Sequence, residues 1–235
     1  MPAVCAGPNE DLLAAAAAGN VNAVTALLGS GANVNAADKD LVTPLHLAPN
    51  VPTARALLDR GAALNAVSTT LGTPLHVAAA SGHAELLGFL LAKGAEPNVK
   101  AGDGRTALDE ILSPRVAGAR ADTSRYDLCA ALLVARGANV TTLQDDGRAY
   151  LHLAAAQGLP RAAVALIAKG NSVNARTKAQ RTPLHYATDL VTARQLINRG
   201  ADVNAADEGG MTPLALSLER GDAKFADFLR QHGAR

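Results

Sequence analysis

Tryptophan is absent, and only three tyrosines and three phenylalanines occur in 235 residues. A core without large rings must be filled by Leu, Val, Ile and Ala, which suits close-packed helices better than a β-sandwich. Cysteine is nearly absent too: Cys5 and Cys129 stand 124 positions apart, which excludes a disulfide framework and fits a reducing, intracellular setting. Charge of one sign is not in excess, since 22 Lys and Arg face 21 Asp and Glu for a net charge of +1. That balance lacks the basic footprint of a nucleic-acid binder. No run reaches the roughly 18 apolar residues of a membrane-spanning helix. The apolar stretch Leu12 to Ala18 follows Glu10 and Asp11, whereas a signal peptide carries basic residues there. A cytoplasmic protein is expected, with export through a trimmed leader left open. With 49% hydrophobic and 18% charged residues, the composition is that of a packed, soluble chain.

Internal repetition is what the chain has in place of these features. Thr-Pro-Leu-His occurs at Thr43–His46, Thr73–His76 and Thr182–His185, with weaker copies at Thr106–Asp109, Ala149–His152 and Thr212–Ala215. Each unit closes on a glycine: Gly31, Gly61, Gly94, Gly137, Gly170, Gly200 and Gly233, at intervals of 30, 33, 43, 33, 30 and 33. Counted from Glu10, this makes seven units. Within Thr73 to Asn98, Thr73 is placed to cap a helix and Pro74 to occupy its first turn. Leu75, Val77, Ala78 and Ala79 form a short helix that Ser81-Gly82-His83 breaks. Leu86, Leu87, Phe89, Leu90 and Leu91 then line one face of a second helix, which Gly94 terminates in the left-handed conformation. Neither helix is long enough to stand alone in water, so each must stack on its neighbours.

The recurring TPLH, the Ser-Gly-His turn, the Leu pair and Gly-Ala-x-x-Asn resemble the ankyrin repeat over residues 10–235. The resemblance implies an all-α solenoid of stacked helix-turn-helix repeats with short β-hairpin fingers and a concave face. It also implies protein binding rather than catalysis, and a structural motif histidine bonded near the threonine. One domain over residues 9–235 is expected, behind a flexible tail at 1–8. Three positions before the closing glycine, the units carry Leu28, Leu58, Leu91, Val134, Ile167 and Ile197, but the last carries Arg230. A core slot turned cationic predicts a terminal capping unit, so residue 235 is expected to be a true end. The alanine-rich first unit reads as the other cap.

A second order lies at an offset of 139 residues. Gly31, Gly61 and Gly94 map without gaps onto Gly170, Gly200 and Gly233, and Thr53-Ala54-Arg55 onto Thr192-Ala193-Arg194. Two similar three-repeat blocks are thus joined by an expanded repeat at about 106–137. The first helix of each 30-residue unit is expected to be about one turn shorter.

Four of the six histidines (46, 76, 152 and 185) hold the same motif position, which accounts for them without metal or catalysis. His83 is a turn residue and His232 precedes the last glycine. No HExxH, CxxC, phosphate-loop or GxSxG pattern occurs, so no catalytic residue, metal or cofactor is expected. Cys129 reads as core filler and Cys5 as part of the tail. Asn139-Val140-Thr141 is a sequon relevant only to a secreted protein.

Two features exceed the repeat background. The residue before the motif threonine is Val42, Gly72, Arg105, Arg148, Arg181 or Met211, so three consecutive units present Arg at one equivalent position. With helices packed about 8–10 Å apart, the three would span roughly 20 Å. Arginine suits recognition of carboxylates. The competing reading is local pairing with Asp103, Asp145 and Asp146. The second feature is the loop from about Ser113 to Ser124, lengthened by ten inserted residues, a candidate contact arm with Arg115 and Arg120, followed by Arg125 and Tyr126.

The expected function is binding of one folded partner through hairpin tips and concave face, by Arg105, Arg148 and Arg181. Asp103, Asp145, Asp146, Gln157, Lys178, Asp189 and Arg220 are expected in support. The partner should present an acidic patch, while nucleic acid and membranes are not expected partners. The chain is expected to be a monomer that inhibits, neutralises or stabilises its partner. The alternative is an exported bacterial effector that binds a host protein. Arg outnumbers Lys sixteen to six, a bias of GC-rich coding.

Overall fold

A computed structural model describes residues 7–113 and 122–235. Residues 1–6 with Cys5, and Arg115 and Arg120 of the insertion, lie outside the described residues, whereas Pro8, expected in the tail, opens the first helix. The chain forms two compact units, Met1–Glu110 and Ile111–Arg235. Among the described residues there are fourteen helices, arranged in sequence as seven pairs, and no strand. The architecture is the expected all-α solenoid type.

In the first unit α1 (Pro8–Ala17) and α2 (Val21–Gly29) are followed by α3 (Pro44–Leu47) and α4 (Val51–Leu58), then α5 (Pro74–Ala80) and α6 (Ala84–Ala92). The seventh helix, α7 (Ala107–Leu112), contains the boundary between the units. The second unit continues with α8 (Ser124–Ala135), α9 (Tyr150–Ala156) and α10 (Pro160–Ala168). It closes with α11 (Pro183–Tyr186), α12 (Leu190–Ile197), α13 (Pro213–Glu219) and α14 (Ala223–Gln231). Helices α3 and α11 are four residues long against seven in α5, α9 and α13, the missing turn expected of the short units.

Helix ends follow from local chemistry. Asn20, Asn50, Asp189 and Asp222 cap the second helices by accepting backbone N–H groups. At the other end all seven closing glycines have φ between 85° and 96°. The backbone then folds back: Ala32 N–H donates to Leu27 O at 3.0 Å, and the bond recurs in every unit through Ala234 to Leu229 at 3.0 Å. Leu57, Leu90, Leu133, Leu166, Leu196 and Leu229 are essentially buried, as is Cys129. Burying such a leucine contributes about 1.5–3 kcal/mol, which stacking supplies and an isolated pair could not.

The fingers are turns rather than paired strands. A backbone bond closes each: Asp38 N–H to Val42 O, Ser68 to Gly72, Ala101 to Arg105, Gln144 to Arg148, Thr177 to Arg181 and Asp207 to Met211, at 2.8–3.2 Å, and in all but the Ser68 turn a second runs inside it, as from Leu41 N–H to Asp38 O at 3.1 Å. A left-handed residue turns the chain inside five positions, leaving no length for a ladder. Gly104, Gly147 and Gly210 supply it in three turns, but Leu41 (φ 58°) and Gln180 (φ 60°) do so without the freedom of glycine. Helix α8 begins at Ser124, where the insertion is expected to end. Asp122 Oδ1 accepts the N–H and hydroxyl of Ser124 at 2.9 and 2.6 Å and starts a turn that Arg125 and Tyr126 continue.

Candidate protein-binding surface

The motif histidine builds the platform. The backbone N–H of Thr43, Thr73, Ala149 and Thr182 donates to Nδ1 of His46, His76, His152 and His185, each at 3.1 Å. Nδ1 is thereby an acceptor, so the ring proton sits on Nε2. From there His46 donates to Gly72 O (2.9 Å), His76 to Arg105 O (3.0 Å), and His185 to Met211 O (3.1 Å). His152 divides its donation between Ala175 O (3.0 Å) and Arg181 O (3.2 Å). Each histidine thus ties its own helix start to the pre-threonine residue of the next turn. Burial lowers the pKa of His46, His152 and His185, against the raising effect of these carbonyls. In these three struts burial thus favours the neutral ring.

Each arginine on this platform has a carboxylate neighbour. Arg105 reaches Asp109 O at 2.7 Å and Glu110 at 3.5 Å. Arg148 Nε meets Asp146 Oδ2 at 2.6 Å, and Arg181 Nε meets Asp207 Oδ2 at 2.9 Å. Partial burial pushes the Asp146 carboxyl up, but hydrogen bonds from Arg148 outweigh it and hold the pKa below its usual value. The Arg181 hydrogen bond lowers that of Asp207, helped by the N–H groups of Met211 and Gly209. A guanidinium carries five N–H donors. These bonds engage one nitrogen on each arginine, so donors remain.

Arg105 belongs to the first unit, Arg148 and Arg181 to the second. Within the second, successive tips are stitched directly: Lys178 N–H donates to Asp146 O at 3.0 Å, and Glu208 N–H to Ala179 O at 3.0 Å. Arg176, which sequence reasoning missed, bridges Gln180 O and Ala206 O at 3.0 and 2.9 Å. Asp103 and Asp145 are exposed, and Asp103 Oδ1 accepts the Arg105 N–H at 3.1 Å. Arg125 is exposed beside Asp122, 3.6 Å away, and Tyr126 is half-buried. Arg220 contacts His185 O at 3.4 Å and lines a small cleft with Thr188 and Phe225.

Gln157 and Asp189 do not join the arginines. They line a separate cleft of about 740 Å³ in the second unit, among the first turns of α8, α10 and α12. Here Asp127 is the residue sequence reasoning missed. Its side chain is buried, and its carboxylate accepts Arg161 N–H at 3.1 Å and Ala162 N–H at 2.8 Å. Burial raises its pKa against those two hydrogen bonds. The signal was Leu159: it precedes α10 where four other units carry Asn or Asp, and it has no side-chain acceptor to offer. Among the described residues, no group of three or more His, Cys, Asp or Glu stands where a metal ion is held. No helix among them is long and apolar enough to cross a membrane.

Residues 12–101, 119–207 and 151–235 match the family model described as ankyrin repeats. The chain is 28% identical over 165 residues to human transient receptor potential cation channel subfamily A member 1, covering 67% of this chain and 14% of that one. To Rabankyrin-5 of Mus musculus it is 33% identical over 144 residues, 54% of this chain and 12% of the relative. To human ankyrin repeat and SOCS box protein 16 the values are 31% over 203 residues, 67% and 42%. The chain therefore spans less than half the length of these relatives. The crystal structure of the human ASB11 ankyrin repeat domain superposes with a TM-score of 0.72 at 26% identity, covering 95% of this chain and 98% of that one.

Proposed function

The chain belongs to the ankyrin-repeat family, a family of protein–protein interaction modules, and from that premise we propose that it holds one folded partner through the turn tips of its middle repeats, against an acidic patch. The observation that carries this reading is the arginine at one equivalent position of three consecutive repeats. In two of them, Arg105 and Arg181, the backbone carbonyl is held by the preceding histidine. A fixed backbone reduces the ordering cost of binding. Spare guanidinium donors suit carboxylates on the partner. Asp103, Asp145, Asp146 and Lys178 lie on the same turns and would set the register of the docked surface. By occupying that surface the chain would inhibit, neutralise or stabilise its partner.

The test measures affinity for the protein captured with this chain, using Arg148→Glu combined with Arg105→Gln and Arg181→Gln. Glutamine at 105 and 181 avoids setting a second carboxylate against Glu110 and the buried Asp207. Binding should weaken by at least about tenfold, since hot-spot truncations cost 2 kcal/mol or more, and association should slow as salt rises. Unchanged affinity in a folded variant would remove the tips from the interface.

A further inference from the structure

The cleft of about 740 Å³ in the second unit has the chemistry of a binding site of its own. Two of its polar groups are carboxylates, Asp127 and Asp189. Asp189 caps α12 through Oδ1, which takes the N–H groups of Val191 and Thr192 at 2.9 Å each. Its Oδ2 is sequestered from solvent and has no hydrogen-bond partner. Beneath it the hydroxyl of the fully buried Thr192 is likewise unpartnered. Asp127, opposite, is buried with both oxygens facing N–H groups of α10. Gln157 gives one amide N–H to Leu112 O at 2.8 Å, which fixes the side chain and leaves its carbonyl oxygen as a further acceptor. Val164 and Val191 supply apolar wall, and Val191 is 57% exposed. The single cation of the lining, Arg161, has an exposed side chain. Two carboxylates against one guanidinium leave the lining with a charge of −1.

The duplication shows that these acceptors are not a requirement of the fold. Asn50 holds the place of Asp189 in the first block. There Thr53 donates both its N–H (3.0 Å) and its hydroxyl (2.9 Å) to Asn50 Oδ1, and the pair is satisfied. The second block keeps the threonine but replaces the neutral cap by a carboxylate with one oxygen unmatched. A buried acceptor without a donor costs stability, so its presence points to a donor supplied from outside.

We infer that this cleft takes a basic side chain, arginine or lysine, of a partner protein, its charged head against Asp189 and Asp127 and its alkyl stem along Val164 and Val191. Amphipathic stems of this kind cover apolar wall while the head seeks acceptors. The inference rests on the protein-binding reading but concerns a surface that includes none of the three turn arginines.

Titration of the ¹⁵N-labelled full chain with N-acetyl-arginine amide, N-acetyl-lysine amide and N-acetyl-glutamate amide tests it without any protein partner. Failure here leaves the turn-tip proposal standing, and failure there leaves this one. Saturable shifts are expected at the amides of Gly158, Arg161, Val191 and Thr192 with the two basic probes, in the millimolar range of about one ion pair. Asp189→Asn should weaken them about fivefold while retaining the cap, as Asn50 does. Asn50→Asp, which installs the carboxylate without the cleft, should create no second site. The proposal is overturned if no saturable shift develops by about 50 mM, if Asp189→Asn leaves the affinity unchanged, or if the glutamate probe shifts the same amides. The last outcome would make Arg161 the recognising group and the ligand an anion.

Discussion

The two blocks related by 139 residues diverge in an ordered way. What they share is scaffold. Leu57 and Leu196 are both fully buried. His46 and His185 make the same pair of bonds, and Arg55 lies over the Phe89 ring as Arg194 lies over Phe228, at 5.0 and 5.7 Å from the ring centroid. What differs is concentrated at turn tips and helix caps. The first block has Val42 where the second has Arg181, and Asn50 where it has Asp189. Its tips expose a leucine each, Leu41 at 52% and Leu71 at 40%. The shared positions hold the fold and the differences gather at turn tips and helix caps, which is why recognition is sought in the latter.

The comparison breaks first if the shared core is not energetically equivalent. Leu57→Ala and Leu196→Ala should each lower unfolding free energy by about 2–5 kcal/mol in urea denaturation, with similar values for the two. Next come the struts. His46→Ala and His185→Ala each orphan a backbone N–H and a carbonyl at a buried junction, and a loss of about 1–3 kcal/mol is expected from each. A loss confined to one block would show that the junctions are not interchangeable.

Acidification sharpens the same point. The depressed pKa values of His46, His152 and His185 mean that, as pH falls below 6.5, the unfolded chain takes up protons before the folded one. Their stabilisation is complete above 6.5 and is lost on descent toward the folded values. Melting temperature should therefore drop between pH 7.5 and 5.5, and His185→Gln should reduce the slope. Asp127 works in the opposite sense. Its raised pKa makes the folded state the better proton acceptor between that value and 3.8, so ionisation destabilises the fold as pH rises through that window.

Smaller effects belong to the tips and caps. Leu41→Gly and Gln180→Gly should each stabilise by up to about 1 kcal/mol, the relief of a left-handed side chain less the entropy of glycine. Asp189→Asn should change stability by less than about 0.5 kcal/mol, as thermal denaturation would read.

Much of this was legible in the sequence because repetition writes each local rule several times. The closing glycines, the proline-led first helices and the histidine network are local or tied to a fixed spacing, so one unit explains the rest. Pairings between repeats were not legible. Arg181 meets Asp207, 26 positions away, rather than Asp145 or Asp146, because stacking brings the next turn alongside. Asp127 looked like an ordinary helix-start residue, and only the packing of α8 against α10 reveals that it caps a helix beginning 33 positions later. The short β-hairpin fingers implied by the family resemblance are tight turns with one or two backbone bonds, because five residues contain the whole reversal.

The histidine struts grip the carbonyl of the pre-threonine residue and never its side chain. Gly72, Arg105, Arg181 and Met211 are all held this way although they share no side-chain chemistry. At positions 105, 181 and 211 the scaffold is therefore indifferent to what is displayed, whereas at Gly72, with φ 70°, a Cβ would come within 2.8 Å of the His76 ring and only glycine fits. A lineage carrying this chain can exchange one display residue for another by single steps without renegotiating the frame. A designer can do the same, treating the row as a set of sockets whose fittings change while the rail stays put.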